Sequence, residues 1–339
     1  MSAPTGRSKI VHIHPTRRCN LRCLHCYSQS GPDQREELPA ELLVQAIRDA
    51  RSAGYNVVSF SGGEPLVYAP LRSLLDEVHA CGMITTVTSN GMLLDQRRIK
   101  LLRGGVDLLA ISLDGVPDSH NELRANPRAF QKMAKCLEGV RRSQIPFGFI
   151  FTLTQYNLHE LPWVAEFALQ EGAQLLQIHP LEEVGRASEC LAGNRPDNIE
   201  ANYALLAAIQ LDSKYGDRMR IQLDVVSTKM MQKDPNRFFV GRKGGESDDV
   251  PLAEVVSPLI IEQDGTVVPL QFGFSRQHAL GNLYDASLAT MGEKWRRERL
   301  HSFLELCTRV YDEITDDAQY QLANWYEIAR SIGAADEVR

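Results

Sequence analysis

Thr16-Arg17-Arg18-Cys19-Asn20-Leu21-Arg22-Cys23-Leu24-His25-Cys26-Tyr27 follows directly on the apolar run Ile10 to Pro15. Three of the chain's seven cysteines crowd into eight positions here. An odd total with tight clustering favours metal binding over a disulfide framework in a reducing compartment. Soft thiolates suit iron–sulfur or zinc. A structural zinc site is closed by four ligands. His25 is the only nearby fourth, and between Cys23 and Cys26 it is poorly placed to reach the same ion. Three thiolates on one loop wrap three irons of a cubane and leave the fourth iron without a protein ligand. The spacing therefore points to an iron–sulfur cluster, with zinc as the alternative.

Around this loop, apolar runs alternate with helical periodicity. Strands are predicted at Ile10–Pro15, Val57–Ser61, Ile84–Thr88, Leu108–Leu113, Phe147–Leu153 and Leu175–His179. Helical patterns fill the gaps at Pro39–Ala53, Leu71–Cys81, Asp95–Arg103, Phe130–Gln144 and Leu161–Glu171, mostly with glycine at the exit. That rhythm predicts right-handed βαβ units around a parallel sheet. Six units suit an open, partial (β/α)6 barrel in an α/β fold. Beyond Gly185 the rhythm changes to a smaller α+β region. There Asn198–Lys214 is predicted helical and Arg220–Val226 a strand. Gly241–Asp249 reads as a mobile loop and candidate lid. Pro258–Glu262 and Thr266–Leu270 form a predicted hairpin across Asp264-Gly265, and helices are predicted around Ser287–Arg297 and Asp317–Ile332. The expected division is 1–185 and 186–339.

The CxxxCxxC spacing after a first strand resembles the radical SAM superfamily. The resemblance extends over about the first 185 residues, through Ser61-Gly62-Gly63-Glu64-Pro65, Thr88-Ser89-Asn90-Gly91 and Ser112-Leu113-Asp114-Gly115. It implies that Cys19, Cys23 and Cys26 ligate one [4Fe-4S] cluster and carry the catalysis. It implies that Gly62, Gly63, Glu64 and Pro65 hold the amino group of S-adenosylmethionine (SAM). Ser89, Asn90, Ser112 and Asp114 would line the SAM pocket, with His25 and Tyr27 also at the cofactor. The placement is physically sensible, since ligands sit at the carboxyl ends of parallel strands. Glycines let backbone approach a ligand closely, and a carboxylate accepts from an ammonium. The implied chemistry is one-electron cleavage of SAM to a 5′-deoxyadenosyl radical, which abstracts hydrogen from a peptide or specialised metabolite. A flavodoxin- or ferredoxin-type protein would donate the electron. The alternatives are a tetrapyrrole or haem-precursor substrate, or a non-catalytic iron–sulfur or zinc-binding regulatory protein.

Gly265-Thr266-Val267-Val268-Pro269, Gly281-Asn282-Leu283, Ser287-Leu288 and Trp295 resemble the SPASM/twitch extensions of radical SAM maturases, which carry further cysteines. Here Leu270 stands where a cysteine is expected. None occurs between Cys190 and Cys307, and Cys81 and Cys136 fall on apparent core helices. The expectation is a SPASM-like scaffold without an auxiliary cluster. Weaker candidates share strand faces by period two: His12, His14 and Thr16; Thr152 and Thr154; Gln177 and His179. Arg124, after the fourth strand, could pair with the SAM carboxylate, but reads rather as an exposed loop arginine. Gly185-Arg186-Ala187 resembles the turn where this family's core passes into its extension.

Composition narrows the partners. Hydrophobic residues make up 43% and charged residues 24%, enough for a sizeable core. The net charge of −6 without a long basic run argues against nucleic acid. No run approaches the ~20 apolar residues that span a bilayer, and Met1–Lys9 lacks a secretory apolar segment. The expectation is a cytoplasmic protein without a membrane partner.

Overall fold

The structure is a computed structural model that describes residues 8–235, 250–316 and 321–337. Gly241–Asp249, the expected lid loop, lies outside them. The strands are β1 (Ile10–Ile13), β2 (Val57–Phe60), β3 (Ile84–Ser89), β4 (Leu108–Ser112), β5 (Phe147–Leu153), β6 (Leu175–Pro180), β7 (Arg220–Leu223), β8 (Val226–Ser227), β9 (Leu259–Ile261), β10 (Thr266–Pro269), β11 (Gly281–Asn282) and β12 (Leu322–Ala323). Among the described residues, one ten-stranded sheet runs β11-β10-β9-β1-β2-β3-β4-β5-β6-β7. β1 to β7 are parallel to their neighbours, as βαβ connection demands. The predicted α/β core of six strands is present in order, and β7 adds a seventh.

Alternation decides which face is core. In β5, Phe147, Phe149, Phe151 and Leu153 are all buried, and Phe149 meets Phe167 of the helix Leu161–Gln170 with ring centroids 5.9 Å apart. The residues between them, Ile150 and Thr152, are half-buried on the opposite face. By register that face continues through Gln177 and His179 of β6 and Gln222 beside β6 on β7. On β1 it carries His12, opposite Ser59 of β2 and Ile260 of β9. A mixed polar inner face against a mostly apolar outer one, broken on β3 by buried Thr85 and Ser89, suits a barrel lumen.

Strands from beyond residue 185 join this same sheet. β9 lies parallel to β1 and turns antiparallel into β10, the hairpin expected across Asp264-Gly265. The junction is tied by the Tyr55 hydroxyl donating to the Val256 carbonyl at 2.7 Å and by Lys9 Nζ against Glu254 at 2.5 Å. β8 and β12 form a small separate sheet. The sequence reading passes over the helix Leu300–Asp316, although Phe303, Leu306, Cys307, Val310 and Ile314 recur at helical spacing and are all buried. The expected helix over 317–332 instead begins at Trp325, after β12. Among the described residues no helix is long and apolar enough to cross a membrane.

Ile13 is fully buried in β1, between β2 and β9. Truncation there removes packing on which both halves of the sheet depend. Ile13→Ala is expected to cost about 2–5 kcal/mol and to leave one unfolding transition in urea. Two separated transitions would contradict a shared core.

Candidate metal and cofactor site

The cysteine loop leaves β1 and returns to the helix Ala40–Ser52 without regular structure of its own. It is folded back on itself by bridges Thr16–Glu37 and Arg18–Gly31 and by Cys19 N–H donating to the Gly31 carbonyl at 3.1 Å. Cys19 and Cys23 are buried and Cys26 half-buried, with Leu21 and Met92 packed among them. Each sulfur has a polar neighbour. Asn90 Nδ2 reaches Cys19 Sγ at 3.9 Å, Arg124 Nη1 reaches Cys23 Sγ at 3.7 Å, and Ser28 Oγ lies 3.5 Å from Cys26 Sγ. Burial pushes the Cys19 thiol up to about 12, with Glu64 adding to it. Burial also raises Cys23, against the pull of Arg124. Loading a metal here therefore releases protons.

Among the described residues, no three His, Cys, Asp or Glu side chains are grouped to hold one metal ion. A mononuclear zinc needs that convergence; a cubane does not, because each thiolate takes a different iron. Three soft, largely buried sulfurs with donor groups turned toward them fit an iron–sulfur cubane. His25 is half-buried with its Nδ1 lacking a partner, and burial lowers its imidazole to about 4, so it is neutral at physiological pH.

The Gly-Gly-Glu-Pro turn packs directly on this loop. A Cβ at Gly63 would stand 2.2 Å from the Arg18 carbonyl oxygen, and one at Gly62 2.9 Å from His14 Cβ. The atoms that exclude a side chain belong to the protein itself: the glycines let the end of β2 touch the cysteine loop. Gly63 N–H donates to the Thr16 carbonyl at 2.9 Å and Glu64 N–H to the Arg18 carbonyl at 3.0 Å. Pro65 opens a single 3₁₀ turn, Pro65–Val67. Glu64 is buried and brackets the ends of β2 and β3, accepting from Ser89 Oγ at 2.8 Å, Asn90 N–H at 2.9 Å and Leu66 N–H at 3.2 Å. Burial raises its carboxyl despite those donors.

Ser112 is buried at the end of β4, and Asp114 just beyond it is fully buried. Asp114 Oδ2 holds Arg124 Nε at 2.5 Å, while Oδ1 lies 3.3 Å from Thr152 N–H. Arg124 is thus a correction to the sequence reading. It is 8% exposed, delivered by the unanticipated helix Pro117–Leu123, and its guanidinium lies between Asp114 and a cysteine. Burial opposes ionisation of Asp114, but Arg124, His25 and His120 outweigh it and hold the carboxyl well below the usual range. His120, Asn157 and Glu160 complete the support. Asn157 Nδ2 donates to the Asp114 carbonyl at 3.0 Å, and Glu160 accepts from Val116 N–H at 2.8 Å. Nothing in the residue pattern singled these three out.

The lumen face carries two further groups. Tyr27 Oη stands 3.5 Å from both His14 Nε2 and Ser61 Oγ. Phe272, from the turn after β10, stacks on His14 at 5.0 Å. Burial lowers His14 to about 3 and His12 to about 4. Thr16 and Thr154 point away into structural bonds, to the Glu36 carbonyl and to Asn157. On the far side, Asp224 gathers His179 Nδ1 at 3.1 Å, Gln177 Nε2 at 2.6 Å and Gln222 Nε2 at 2.9 Å. Glu182 Oε1 stands 3.7 Å from His179 Nε2. Burial alone would lower His179, but Asp224 and Glu182 raise it to about 9. Of the remaining cysteines, Cys81 and Cys136 are half-buried, Cys190 is exposed and Cys307 is buried.

Residues 13–168 match the Radical SAM superfamily. Fe-coproporphyrin III synthase of Methanosarcina barkeri is 31% identical over 185 residues, covering 54% of this chain and 46% of that protein. The sporulation killing factor maturation protein SkfB of Bacillus subtilis is 28% identical over 213 residues, covering 61% of this chain and 50% of its own. The chain spans about half the length of the curated relatives it matches. Streptococcus suis SuiB bound to S-adenosylmethionine superposes with a TM-score of 0.66 at 17% identity, over 91% of this chain and 68% of that one. Native anSMEcpe with bound AdoMet and Cp18Cys peptide superposes with a TM-score of 0.67 at 17% identity, over 97% and 99%. At such identities the likeness is one of fold.

Two measurements follow from the buried charges. Arg124→Met strands Asp114 and is expected to cost about 3–5 kcal/mol in urea unfolding, whereas Arg124→Met with Asp114→Leu recovers most of it. Because the Asp114 carboxyl is depressed, the pair's stabilisation is present above the ordinary carboxylate range and is lost as pH falls through the folded value. His179 is raised, so its pair with Asp224 stabilises fully below pH 6.5 and is lost as pH rises through about 9. In Asp224→Asn, the imidazole titration followed by NMR should move down from about 9; an unmoved midpoint would show that Asp224 does not hold the proton.

Proposed function

This chain belongs to the radical SAM superfamily through residues 13–168, and from that premise we propose that it binds one [4Fe-4S] cluster on Cys19, Cys23 and Cys26 and acts on a peptide or peptide-like metabolite. The observation that carries the reading is the buried three-thiol loop, held beneath the Gly-Gly-Glu-Pro turn with Asn90 and Arg124 directed at its sulfurs. When bound and reduced, the cluster supplies the electron that splits a carbon–sulfur bond of SAM and yields a 5′-deoxyadenosyl radical.

The chain's own residues do the rest. Glu64 has lone-pair capacity left on Oε2 after accepting from Asn90 and takes the ammonium of SAM. The Gly62-Gly63 backbone and Pro65 fix the height of Glu64 over the thiol loop. Ser89 and Asn90 hold Glu64 from the end of β3. Ser112 and Asp114 shape the wall at the end of β4, with Arg124 held by Asp114 against the Cys23 sulfur. His25 and Tyr27 present flat rings beside the cofactor. Phe272, Tyr27 and His14 close one side of the lumen against water, which a reactive radical requires.

For the substrate, the charge of the opposite wall favours a peptide over a tetrapyrrole. Asp224, Glu182 and Glu327 all lie near His179, and Arg195 is already paired with Glu327 at 2.6 Å. Three carboxylates against the His179 and Arg195 cations leave a net negative charge there, which disfavours a polycarboxylate porphyrin and tolerates an amide or amine group. SkfB is named for maturing a killing factor, and SuiB is known with its precursor peptide SuiA. The tetrapyrrole reading rests on the identity to Fe-coproporphyrin III synthase. A ferredoxin- or flavodoxin-type donor supplies the electron, and the site is cytoplasmic, where thiols stay reduced.

Anaerobic reconstitution tests the reading. About four irons per chain, with 5′-deoxyadenosine formed on adding SAM and dithionite, is the expected result, and Cys23→Ala should abolish both. About eight irons would mean a second cluster despite Leu270. Zinc in place of iron, or a loaded cluster that never cleaves SAM, would overturn the catalytic reading.

A further inference from the structure

The segment that carries Cys23 and Cys26 is held from one further place, the turn after β6. Arg186 reaches into it with three donors. Its Nη1 donates to the Cys23 carbonyl at 2.7 Å, its Nη2 to the Ser30 carbonyl at 2.8 Å, and its backbone N–H to the Cys26 carbonyl at 3.0 Å. The side-chain fork therefore fixes the main chain at Cys23 and at Ser30, while the backbone N–H of the same residue fixes it at Cys26.

Two neighbours make that contact specific. Gly185 has φ 59° and ψ −130°, and a Cβ there would stand 2.2 Å from the Tyr27 carbonyl oxygen and 2.7 Å from that of Cys26. No side chain fits, so the turn lies flat on the cysteine backbone. Leu24, between the two ligands, packs into a socket of Leu123, Leu181, Ala187 and Leu191, and its N–H donates to the Leu123 carbonyl at 2.8 Å. The loop is gripped by polar bonds on one side of Cys23 and by an apolar pocket on the other.

We propose that Arg186 is a positioning residue for the cluster: it presets the spacing of Cys23 and Cys26 before iron arrives and slows cluster loss afterwards. The loop has no helix or strand to hold its shape, so each carbonyl satisfied by a fixed donor removes freedom that assembly would otherwise have to remove. A planar fork with two parallel donors does this where a lysine, with one point charge, cannot. The inference rests on the cluster reading above.

The experiment compares wild type with Arg186→Ala, Arg186→Lys and Arg186→Gln, each reconstituted with iron and sulfide and then challenged with a chelator under anaerobic conditions. Bleaching of the visible absorption and iron per chain are read directly, without SAM or substrate. Arg186→Ala is expected to lose its cluster roughly 10-fold to 100-fold faster than wild type. Arg186→Lys should recover only part of that, since it keeps the charge but not the fork, and Arg186→Gln should lie between Ala and Lys. The thermal midpoint of each metal-free variant separates a local effect from global unfolding. If Arg186→Ala does not fold, the Lys-to-wild-type ratio of loss rates decides. Equal loss rates for wild type and all folded variants would overturn the inference. Failure of wild type to take up iron would instead overturn the cluster reading.

Discussion

A loop without regular structure must still pair its buried backbone groups, and that requirement organises the site. The cysteine loop meets it by spending its carbonyls on the ends of the surrounding strands. The carbonyls of Thr16 and Arg18 accept from the end of β2, and those of Cys23, Cys26 and Ser30 from the turn after β6. The loop also donates outward: Leu24 N–H bonds to the Leu123 carbonyl after β4. Shape is thus imported from three strand ends that are themselves rigid because the sheet is continuous. The glycines at 63 and 185 follow from the same constraint, since each marks a place where two backbones come too close for a side chain.

Electrostatics adds a second layer on the same scaffold. Arg124 is desolvated, which is unfavourable for an isolated cation, yet it is paired with Asp114 and touches Cys23. A buried ion pair is a weak source of net stability. Its value here is geometric: Asp114 is fixed by Thr152 and Arg124 by Asp114, so a positive group is held against a sulfur that metal binding would make anionic. On the other side, bonds from Ser89, Asn90 and Leu66 hold the Glu64 carboxyl rigid at the ends of β2 and β3.

How much of this was legible in the sequence differs by the range of the interaction. The strands and helices of the first half are readable because apolar periodicity is local, and the three cysteines because their spacing is local too. Arg124 misled, since a loop arginine ten residues past Asp114 gives no sign that a short helix will fold it back onto that carboxylate. Glu160 and Asn157 were silent for the same reason: they act on the turn around Asp114 and Val116 from beyond β5. The helix Leu300–Asp316 was legible and passed over, its apolar spacing being as regular as any in the core. Asp224 belongs to a different class. Only the pairing of β6 with β7 brings it beside Gln177 and His179, and register is a tertiary fact.

The C-terminal region is best understood as the continuation of the first strand's environment. β9 covers the edge that β1 would otherwise expose, which removes an unpaired row of backbone donors and acceptors. The same connection delivers Phe272 onto His14 and Tyr27, so a residue from after β10 becomes part of the wall beside the cysteine loop. Leu270, which stands where the SPASM/twitch resemblance leads one to expect a cysteine, is taken up by this packing. It is buried, has φ 68°, and its N–H donates to the Pro258 carbonyl at 2.9 Å. A leucine in the left-handed region is uncommon, so the backbone turn is imposed by the hairpin and the side chain is used as core. The turn closes a hydrophobic layer, and what it contributes to the lumen is the aromatic ring two residues on.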